Sequence, residues 1–437
     1  MLFGCGLLGG TEALLRASGR YADPPVPQMP EGWGDGVRLA RSRMGPFLEA
    51  TQVDGAPGRR TSRRLVEQRF MHDLAWRVQP QVDRPRVVAF GGSTTLGVPV
   101  EREPARTFPG RLSAWLAAGG SPAEVLNLGG ASFGTDQIVE LMGDMAGDGA
   151  AVWIMYEGNN EFFQYNLRWY EMNAEFPGAQ VHLRQLHLFR VLEGLLDAPP
   201  TVGGVADARE QQKQQLARMM EATLADPSSR PVVDAQGRWS RQDPPAIAVR
   251  ARFRTNLQQM EARAAQAQAT LLIVDVQPNL QQEPWLSLHD PELSFVGRER
   301  VARALADAMS SADRATAVGL AEGAVAIDPV YARSWWVLGM ARLAAGDPAG
   351  AEPALRNALE LDMNPGRPIR DFNDAVHAVT VDGGSVRVDL SPMWAAPASG
   401  PFGGRLYQDA CHLTPEAYDG LGALLAVHVA PLLPAPR

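Results

Sequence analysis

Short apolar runs recur along the chain from residue 86 onward, and each ends at small or polar residues. They are four to six residues long. Most lack the alternation of apolar and polar positions that is typical of a strand with one solvent-exposed face. Uninterrupted runs of this length are typical of strands buried on both faces of a parallel sheet. The predicted strands are Arg86–Phe90, Val125–Leu128, Ala151–Tyr156, Leu271–Val276 and Val386–Leu390.

Helical periodicity separates several of these strands. Apolar positions at helical spacing predict helices over Phe108–Ala118 and Ala251–Ala267. Strands that alternate with helices along a chain predict an α/β domain built around a parallel sheet. With 437 residues, 45% hydrophobic and 21% charged, the chain can bury such a core.

Two segments interrupt the alternation. Residues 164–250 contain a polar, Gln-rich helical stretch and Pro-rich joints, and we interpret them as a helical insertion or cap over the sheet. Residues 298–365 repeat themselves, because Ala324–Asp328 is echoed 34 residues later by Ala358–Asp362. That period is typical of a tetratricopeptide repeat.

Small residues within this repeat support the same interpretation. Gly339 and Ala351 lie where two antiparallel helices must approach closely. About three repeats are normally needed for a stable array, and this segment contains one clear and one degenerate copy. We therefore expect the insert to lean on the α/β domain.

The interruptions divide the chain into six predicted segments. They are an irregular N-terminal segment (1–85), the first part of the α/β core (86–163), the insertion or cap (164–250), a continued core (251–297), the helical insert (298–365) and the C-terminal core (366–437). Met1–Gly10 is apolar but about half the length of a membrane-spanning helix. It is either the end of a removed membrane anchor or an ordinary apolar terminus.

Charge and cysteine content exclude some functions. The formal net charge is −8 and the basic residues are scattered, whereas nucleic-acid binding usually leaves a basic patch, so no nucleic-acid partner is expected. Cys5 and Cys411 have neither metal-ligand spacing nor the number needed for a disulfide framework, so no metal site is expected.

Polar residues follow three predicted strands, at the sheet edge where α/β proteins bind ligands. Ser93 follows the first strand at a Gly-Gly turn, as a nucleophile or as a helix cap. The loop Asn127–Thr135 can turn backbone N–H groups toward one point, as an oxyanion hole requires, or is a simple turn. Asn160, after the third strand, can donate its side-chain N–H to that point or cap a helix.

A fourth group lies near the C-terminus. Asp409 and His412 are three residues apart before a helical pattern, a spacing that allows the imidazole to act as general base and the carboxylate to orient it. Each of the four signals is weak alone. Their combination, with a serine, a Gly-rich loop, an asparagine and Asp-x-x-His in this order, is much stronger.

This order resembles the SGNH/GDSL hydrolase superfamily, whose four blocks supply Ser, Gly, Asn and His. The resemblance implies a flavodoxin-like three-layer α/β/α domain, here with a tetratricopeptide-like helical insert. It implies that Ser93 is the nucleophile, His412 the general base and Asp409 its orienting acid. It also implies an oxyanion hole made by the Ser93 backbone N–H, a backbone N–H of the second block and the Asn160 side chain.

The blocks depart from the superfamily pattern in three places. The first reads Gly-Gly-Ser rather than Gly-Asp-Ser, so no Asp precedes Ser93. In the second, the usual glycine position falls on Ser132, with Gly130 as the nearest alternative. The third reads Gly-Asn-Asn-Glu where Gly-x-Asn-Asp is usual, and it keeps the critical Asn160.

A narrower resemblance covers residues 86–425. Bacterial SGNH-like proteins with a tetratricopeptide insert are similar at NLGGASFG, at YEGNNEF, at Gln277–Leu280 and at the repeat followed by Arg367. It implies a place outside the cytoplasm and a membrane tether in the full-length form. It also implies substrate-binding roles for Asn279 and Arg367, although fixing a loop is the alternative for each.

The predicted activity is acyl transfer through a covalent serine ester, with no cofactor or metal. The resemblance implies a short acyl ester as substrate, on a small molecule or a glycan of the cell envelope. Water as acceptor gives an esterase, and a sugar hydroxyl gives an O-acyltransferase. Two other classes stay open: a non-catalytic module that docks a protein partner through the helical insert, and a lipase-like enzyme with an apolar groove in residues 164–250.

Overall fold

The computed structural model describes residues 46–80, 84–165 and 213–434, apart from positions 215, 219 and 222. The chain divides into two compact units. One comprises residues 1–46 and 165–219, so the apolar start and most of the predicted cap lie outside the described residues. The other comprises residues 47–164 and 220–437 and contains every element below.

A small antiparallel sheet opens the second unit. It contains β1 (Leu48–Val53), β2 (Ala56–Thr61) and β3 (Ala75–Arg77) in that order, with helix α1 (Arg63–Glu67) between the last two. The expectation of an irregular segment is therefore wrong over these residues. Asp54 and Gly55 join β1 to β2 with φ of 47° and 75°, the left-handed pair of a two-residue hairpin turn. The Asp-Gly dipeptide was the signal for this hairpin.

The five predicted core strands are confirmed, each end within one residue. They are β4 (Arg86–Gly91), β5 (Glu124–Gly129), β6 (Ala150–Tyr156), β9 (Thr270–Asp275) and β10 (Val386–Asp389), with a short hairpin of β7 (Val232–Val233) and β8 (Trp239–Ser240) between β6 and β9. The parallel order is β10-β9-β6-β4-β5. The strand order reverses at β4, because β5 is added on one side of it and β6 on the other. Doubly wound sheets bind ligands beyond the carboxyl ends of the strands at such a point.

Helices connect and cover the strands. After α1 they are α2 (Ser93–Leu96), α3 (Phe108–Ala118), α4 (Thr135–Asp144), α5 (Pro244–Ala267), α6 (Phe295–Ser310), α7 (Arg314–Ile327), α8 (Ala332–Ala344), α9 (Pro348–Leu361), α10 (Arg370–Asp382), α11 (Ser391–Ala395) and α12 (Pro415–Val429). The helix α3 has its predicted bounds. The helix α5 begins seven residues before its predicted start, because Asp243 caps it by accepting the Ala246 N–H at 3.1 Å.

The parallel sheet is covered on both faces. On one face, α3 and α12 bury Leu112 and Leu421 against sheet residues such as Ile154. Burial of a side chain of this size stabilises the fold by about 1.5–3 kcal/mol. On the other face lie α4, α5 and α10, where the Phe253 and Phe372 rings stack with centroids 4.3 Å apart. The result is a three-layer α/β/α arrangement.

Helices α6–α9 pack one after another into what we call the helical array. Its core consists of small and medium apolar residues, including Val301, Leu305 and Ala324. At Gly339, on α8, an added Cβ would lie 2.5 Å from the Leu355 side chain on α9. The expected close approach at this glycine is confirmed, whereas the tetratricopeptide assignment stays a prediction.

Candidate active site

The register of the sheet brings three loops to one level. Gly91, the last residue of β4, pairs with Gly129 of β5 and with Tyr156 of β6. The loops after these strands therefore begin side by side at the carboxyl edge. These are the loops that contain Ser93, Ser132 and Asn160.

The serine lies at the turn that follows β4. Gly92 is in extended conformation, and Ser93 is the first residue of the one-turn helix α2. Ser93 is half-buried, while Thr94 and Thr95 behind it are buried. The Thr94 hydroxyl donates to the Cys411 carbonyl at 3.2 Å, which links the serine turn to the C-terminal loop.

The C-terminal loop is held as a narrow bend before α12. Tyr407 and Leu413 form an isolated antiparallel bridge, and the Gln408 N–H donates to the His412 carbonyl at 2.9 Å. Thr414 then caps α12 through its side chain. These contacts hold the short segment that contains Asp409 and His412.

Serine, histidine and aspartate meet in a continuous hydrogen-bonded line. The Ser93 Oγ lies 2.8 Å from His412 Nε2, and His412 Nδ1 lies 2.7 Å from Asp409 Oδ2. The other carboxylate oxygen accepts the backbone N–H groups of His412 at 2.9 Å and Cys411 at 3.0 Å. A carboxylate at Nδ1 keeps the proton on that nitrogen, so Nε2 is left to accept the serine proton.

Burial, hydrogen bonds and nearby charges shift the pKa values of Asp409 and His412. Burial alone would raise the pKa of Asp409, but hydrogen bonds from His412 and Cys411 more than offset burial and lower this pKa to about 2. Burial opposes a charge on His412, yet its contacts with Asp409 and Cys411 hold its pKa above the ordinary value. The aspartate therefore stays ionised, and the imidazole binds a proton more tightly than a free histidine does.

The second loop offers one free backbone donor. The Gly130 N–H donates to the Gly91 carbonyl at 3.0 Å and is therefore already used. Ser132 adopts a left-handed conformation (φ 58°), and its N–H makes no hydrogen bond within the described residues. Of the two predicted second-block donors, the geometry favours Ser132.

Asn160 approaches the serine turn from the third loop. One of its side-chain N–H groups donates to the Phe133 carbonyl at 2.9 Å, which ties the third loop to the second. The same Nδ2 lies 2.6 Å from the place where a Cβ on Gly92 would stand. Since an amide carries two N–H donors, the other remains beside the serine turn.

Asn279 and Arg367 lie behind the C-terminal bend. The Asn279 side chain donates to the Asp409 carbonyl at 2.8 Å, and Arg367 Nη1 donates to the Asn279 carbonyl at 2.7 Å. Arg367 is 2% exposed and also pairs with Asp362 at 3.6 Å. These contacts fit the loop-fixing alternative, and direct substrate binding by either residue stays a prediction.

Two buried carboxylates were missed by the sequence analysis. Glu157 and Glu161 flank the Asn-Asn pair of the third loop, and both are buried. Glu161 accepts the N–H and the hydroxyl of Thr135, each at 2.7 Å, and so fastens the start of α4. The available signal was two acidic residues directly after an apolar strand, where burial requires hydrogen-bond donors.

One group of possible metal ligands exists in the described part of the chain. Asp409, Cys411 and His412 place their donor atoms within 4.8 Å of one another. The aspartate and histidine atoms already bind each other, so a metal there would displace the Nδ1 proton. This geometry fits the proton-transfer line rather than a structural metal centre.

Within the described residues, no helix has both the length and the apolar character that crossing a bilayer requires. Comparison with known proteins finds no family model that matches the chain and no matching curated sequence.

Proposed function

We propose that this chain is a serine esterase of the SGNH/GDSL type, which cleaves an ester through a covalent serine intermediate. The observation that carries the proposal is the line from Ser93 Oγ through His412 to Asp409, with contacts of 2.8 and 2.7 Å. A nucleophile hydrogen-bonded to a base, with a third group orienting that base, is the arrangement that activates a serine hydroxyl.

In the first step, His412 Nε2 takes the Ser93 proton as Oγ attacks the ester carbonyl carbon. Asp409 holds the imidazole in place and stabilises the imidazolium that forms. The imidazolium then returns the proton to the leaving alkoxide as the ester C–O bond breaks. The products of this step are an alcohol and an acylated Ser93.

The negative charge that develops on the carbonyl oxygen needs nearby donors. The Ser93 N–H at the start of α2, the free Ser132 N–H and the second Asn160 N–H are the three candidates. Each such donor is typically worth about 10²–10³ in rate, because it binds the transition state better than the ground state.

In the second step, His412 takes a proton from the water that attacks the acyl carbonyl carbon. It returns this proton to Ser93 Oγ as the acyl–Oγ bond breaks and the acid leaves. The proposed substrate class is a short acyl ester, on a small molecule or a cell-envelope glycan. That part of the proposal is supported by the resemblance of the sequence blocks.

The test compares two serines at helix N-termini, Ser93 at the first position of α2 and Ser294 at the cap of α6. A fluorophosphonate should label the wild type and Ser294→Ala equally and leave Ser93→Ala unlabelled; Ser294 caps α6 by accepting the Gly297 N–H at 3.2 Å. Turnover of p-nitrophenyl acetate should follow the same pattern. No labelling of the wild type, or equal labelling of all three proteins, would favour the non-catalytic binding module.

A series of p-nitrophenyl esters then tests the acyl group. The proposal expects the acetyl ester to be turned over fastest. A rate that increases steadily with chain length would favour the lipase-like alternative.

A further inference from the structure

A buried carboxylate lies directly behind the serine turn and is not one of the hydrogen-bonded residues Ser93, His412 and Asp409. Glu157 follows β6 and is 2% exposed. Its Oε1 accepts the backbone N–H groups of Asn159 at 2.8 Å and of Asn160 at 2.9 Å. The carboxylate therefore fixes the backbone from which the Asn160 side chain projects.

The second oxygen of this carboxylate faces the nucleophile's own turn. Among the described residues, Glu157 Oε2 makes no hydrogen bond of good geometry, although the Gly92 N–H lies close enough to favour its charged form. It would lie 2.3 Å from a Cβ on Gly92, the residue just before Ser93. The carboxylate thus fills the space that a side chain at position 92 would occupy.

This placement is costly for stability. Burial raises the pKa of Glu157 to about 7, although the N–H groups of Gly158, Asn160, Asn159 and Gly92 favour its charged form. Glu161 is buried nearby and has its pKa raised to about 8, mainly by burial and then by Glu157. A buried acid without a cationic partner lowers stability compared with an apolar side chain of the same size.

We propose that Glu157 is a positioning residue for the oxyanion hole. Its carboxylate sets the distance between the Asn160 amide and the Gly92–Ser93 turn, so that the free Asn160 N–H points to the reacting oxygen. The inference rests on the proposed esterase function. Glu157 itself touches no substrate atom in this role and acts through Asn160.

The role predicts a specific kinetic pattern. A misplaced Asn160 N–H weakens transition-state binding, so kcat should fall while KM changes little. Glu157→Gln keeps an oxygen acceptor and the side-chain length, whereas Glu157→Met keeps the length alone. Activity should therefore be largely kept in the Gln variant and lost in the Met variant, by about tenfold or more.

A matched control separates positioning from general damage. Glu360 on α9 is also buried, with its pKa raised to about 7 by burial, and accepts the Arg370 N–H at 3.0 Å. Glu360→Met should change Tm with kcat within about twofold of the wild type. An equal loss of kcat in Glu157→Met and Glu360→Met would overturn the inference.

The deciding experiment is a double-mutant cycle on fluorophosphonate labelling and on p-nitrophenyl acetate turnover. Asn160→Ala should slow both by about 10²–10³, and adding Glu157→Met should slow them no more than about twofold further. Additive losses, or wild-type rates for Glu157→Met, would contradict the positioning role while leaving the esterase proposal standing. An unlabelled wild type would remove the esterase proposal and the inference together.

Discussion

The carboxyl edge of the parallel sheet and the helical array are built by different means. At the edge, three strand ends and a C-terminal bend meet through polar contacts between residues far apart in sequence, such as Thr94 and Cys411. In the array, neighbouring helices meet through small apolar side chains such as Ala321 and Ala354. One region depends on the position of individual N–H and O–H groups, and the other on close packing.

From this contrast we predict which property, activity or stability, a substitution in each region should change. A polar group at the sheet edge contributes little net stability but has a specific position, since a typical hydrogen bond is worth about 0.5–1.5 kcal/mol net. A packing change in the array alters stability directly. We therefore expect edge variants to lose activity while folded, and array variants to lose stability with normal activity.

The largest expected effect is the loss of kcat in a His412 variant, which we compare with a variant of His289. His412→Ala removes the base and should lower kcat by about 10⁴-fold or more, with little change in Tm. His289→Ala in the segment beside the array removes the contact to Asp328 at 2.8 Å and the stacking on Tyr331, and should lower Tm alone. Ester turnover measures kcat and thermal melts measure Tm for both variants. A drop in kcat for the His289 variant would contradict the expected separation of activity from stability.

The next effect is pH dependence at the edge. Because the His412 pKa is raised, kcat/KM should fall about tenfold per pH unit below a midpoint that lies above 6.5. Asp409→Asn removes the main contact that raises this pKa, so the midpoint should move to lower pH by about one unit or more. A pH profile with the same midpoint in both proteins would contradict the coupling of the two side chains.

His412 and Asp409 should also make the free energy of unfolding depend on pH. The raised pKa of His412 stabilises the fold fully below about pH 6.5, and this contribution is lost as pH rises through the folded pKa. The lowered pKa of Asp409 contributes above about pH 3.9 and is lost as pH falls toward 2. Chemical unfolding of the wild type and Asp409→Asn should therefore differ most between these limits.

A smaller effect is expected from overpacking the array. Gly339→Leu forces a side chain toward Leu355, where even a Cβ would be 2.5 Å away, and should destabilise the fold by about 1–3 kcal/mol. The folded fraction should keep the wild-type kcat. Denaturant unfolding measures the loss of stability. Ester turnover, divided by the active-site concentration from fluorophosphonate titration, gives the kcat of the folded fraction.

The smallest effect is expected behind the C-terminal bend. Asn279→Ala removes the hydrogen bond to the Asp409 carbonyl, worth about 1 kcal/mol, and should lower kcat severalfold with KM unchanged. A rise in KM with normal kcat would instead assign Asn279 to substrate binding. The two predicted roles of this residue are thus separated by one kinetic measurement.

Local signals were enough to predict the strands but not every element. Apolar runs such as Ala151–Tyr156 predicted the core strands, because strands covered on both faces must be apolar throughout. The hairpin at Asp54–Gly55 was missed because polar, Pro- and Gly-containing strands lack that signal. The early start of α5 was missed because Asp243 and Pro244 mark a helix N-terminus without apolar periodicity.

The candidate site was predicted in its residue types and only partly in its geometry. Order along the chain singled out Ser93, Asn160 and His412, which the structure brings to one edge. The choice between Gly130 and Ser132 needed the backbone hydrogen bond that only one of them makes. Glu157 escaped notice because a sequence does not reveal that a carboxylate is buried against a distant glycine.

The hydroxyl and imidazole of the proposed site are separated by 319 positions along the chain. A growing polypeptide that has reached β6 already has the alcohol and the amide-bearing loops, but not the group that removes a proton. We therefore expect no ester cleavage by the nascent chain until His412 has emerged from the ribosome and α12 has docked. Recovery of ester cleavage after dilution from denaturant should therefore follow, and never precede, the return of native tertiary structure.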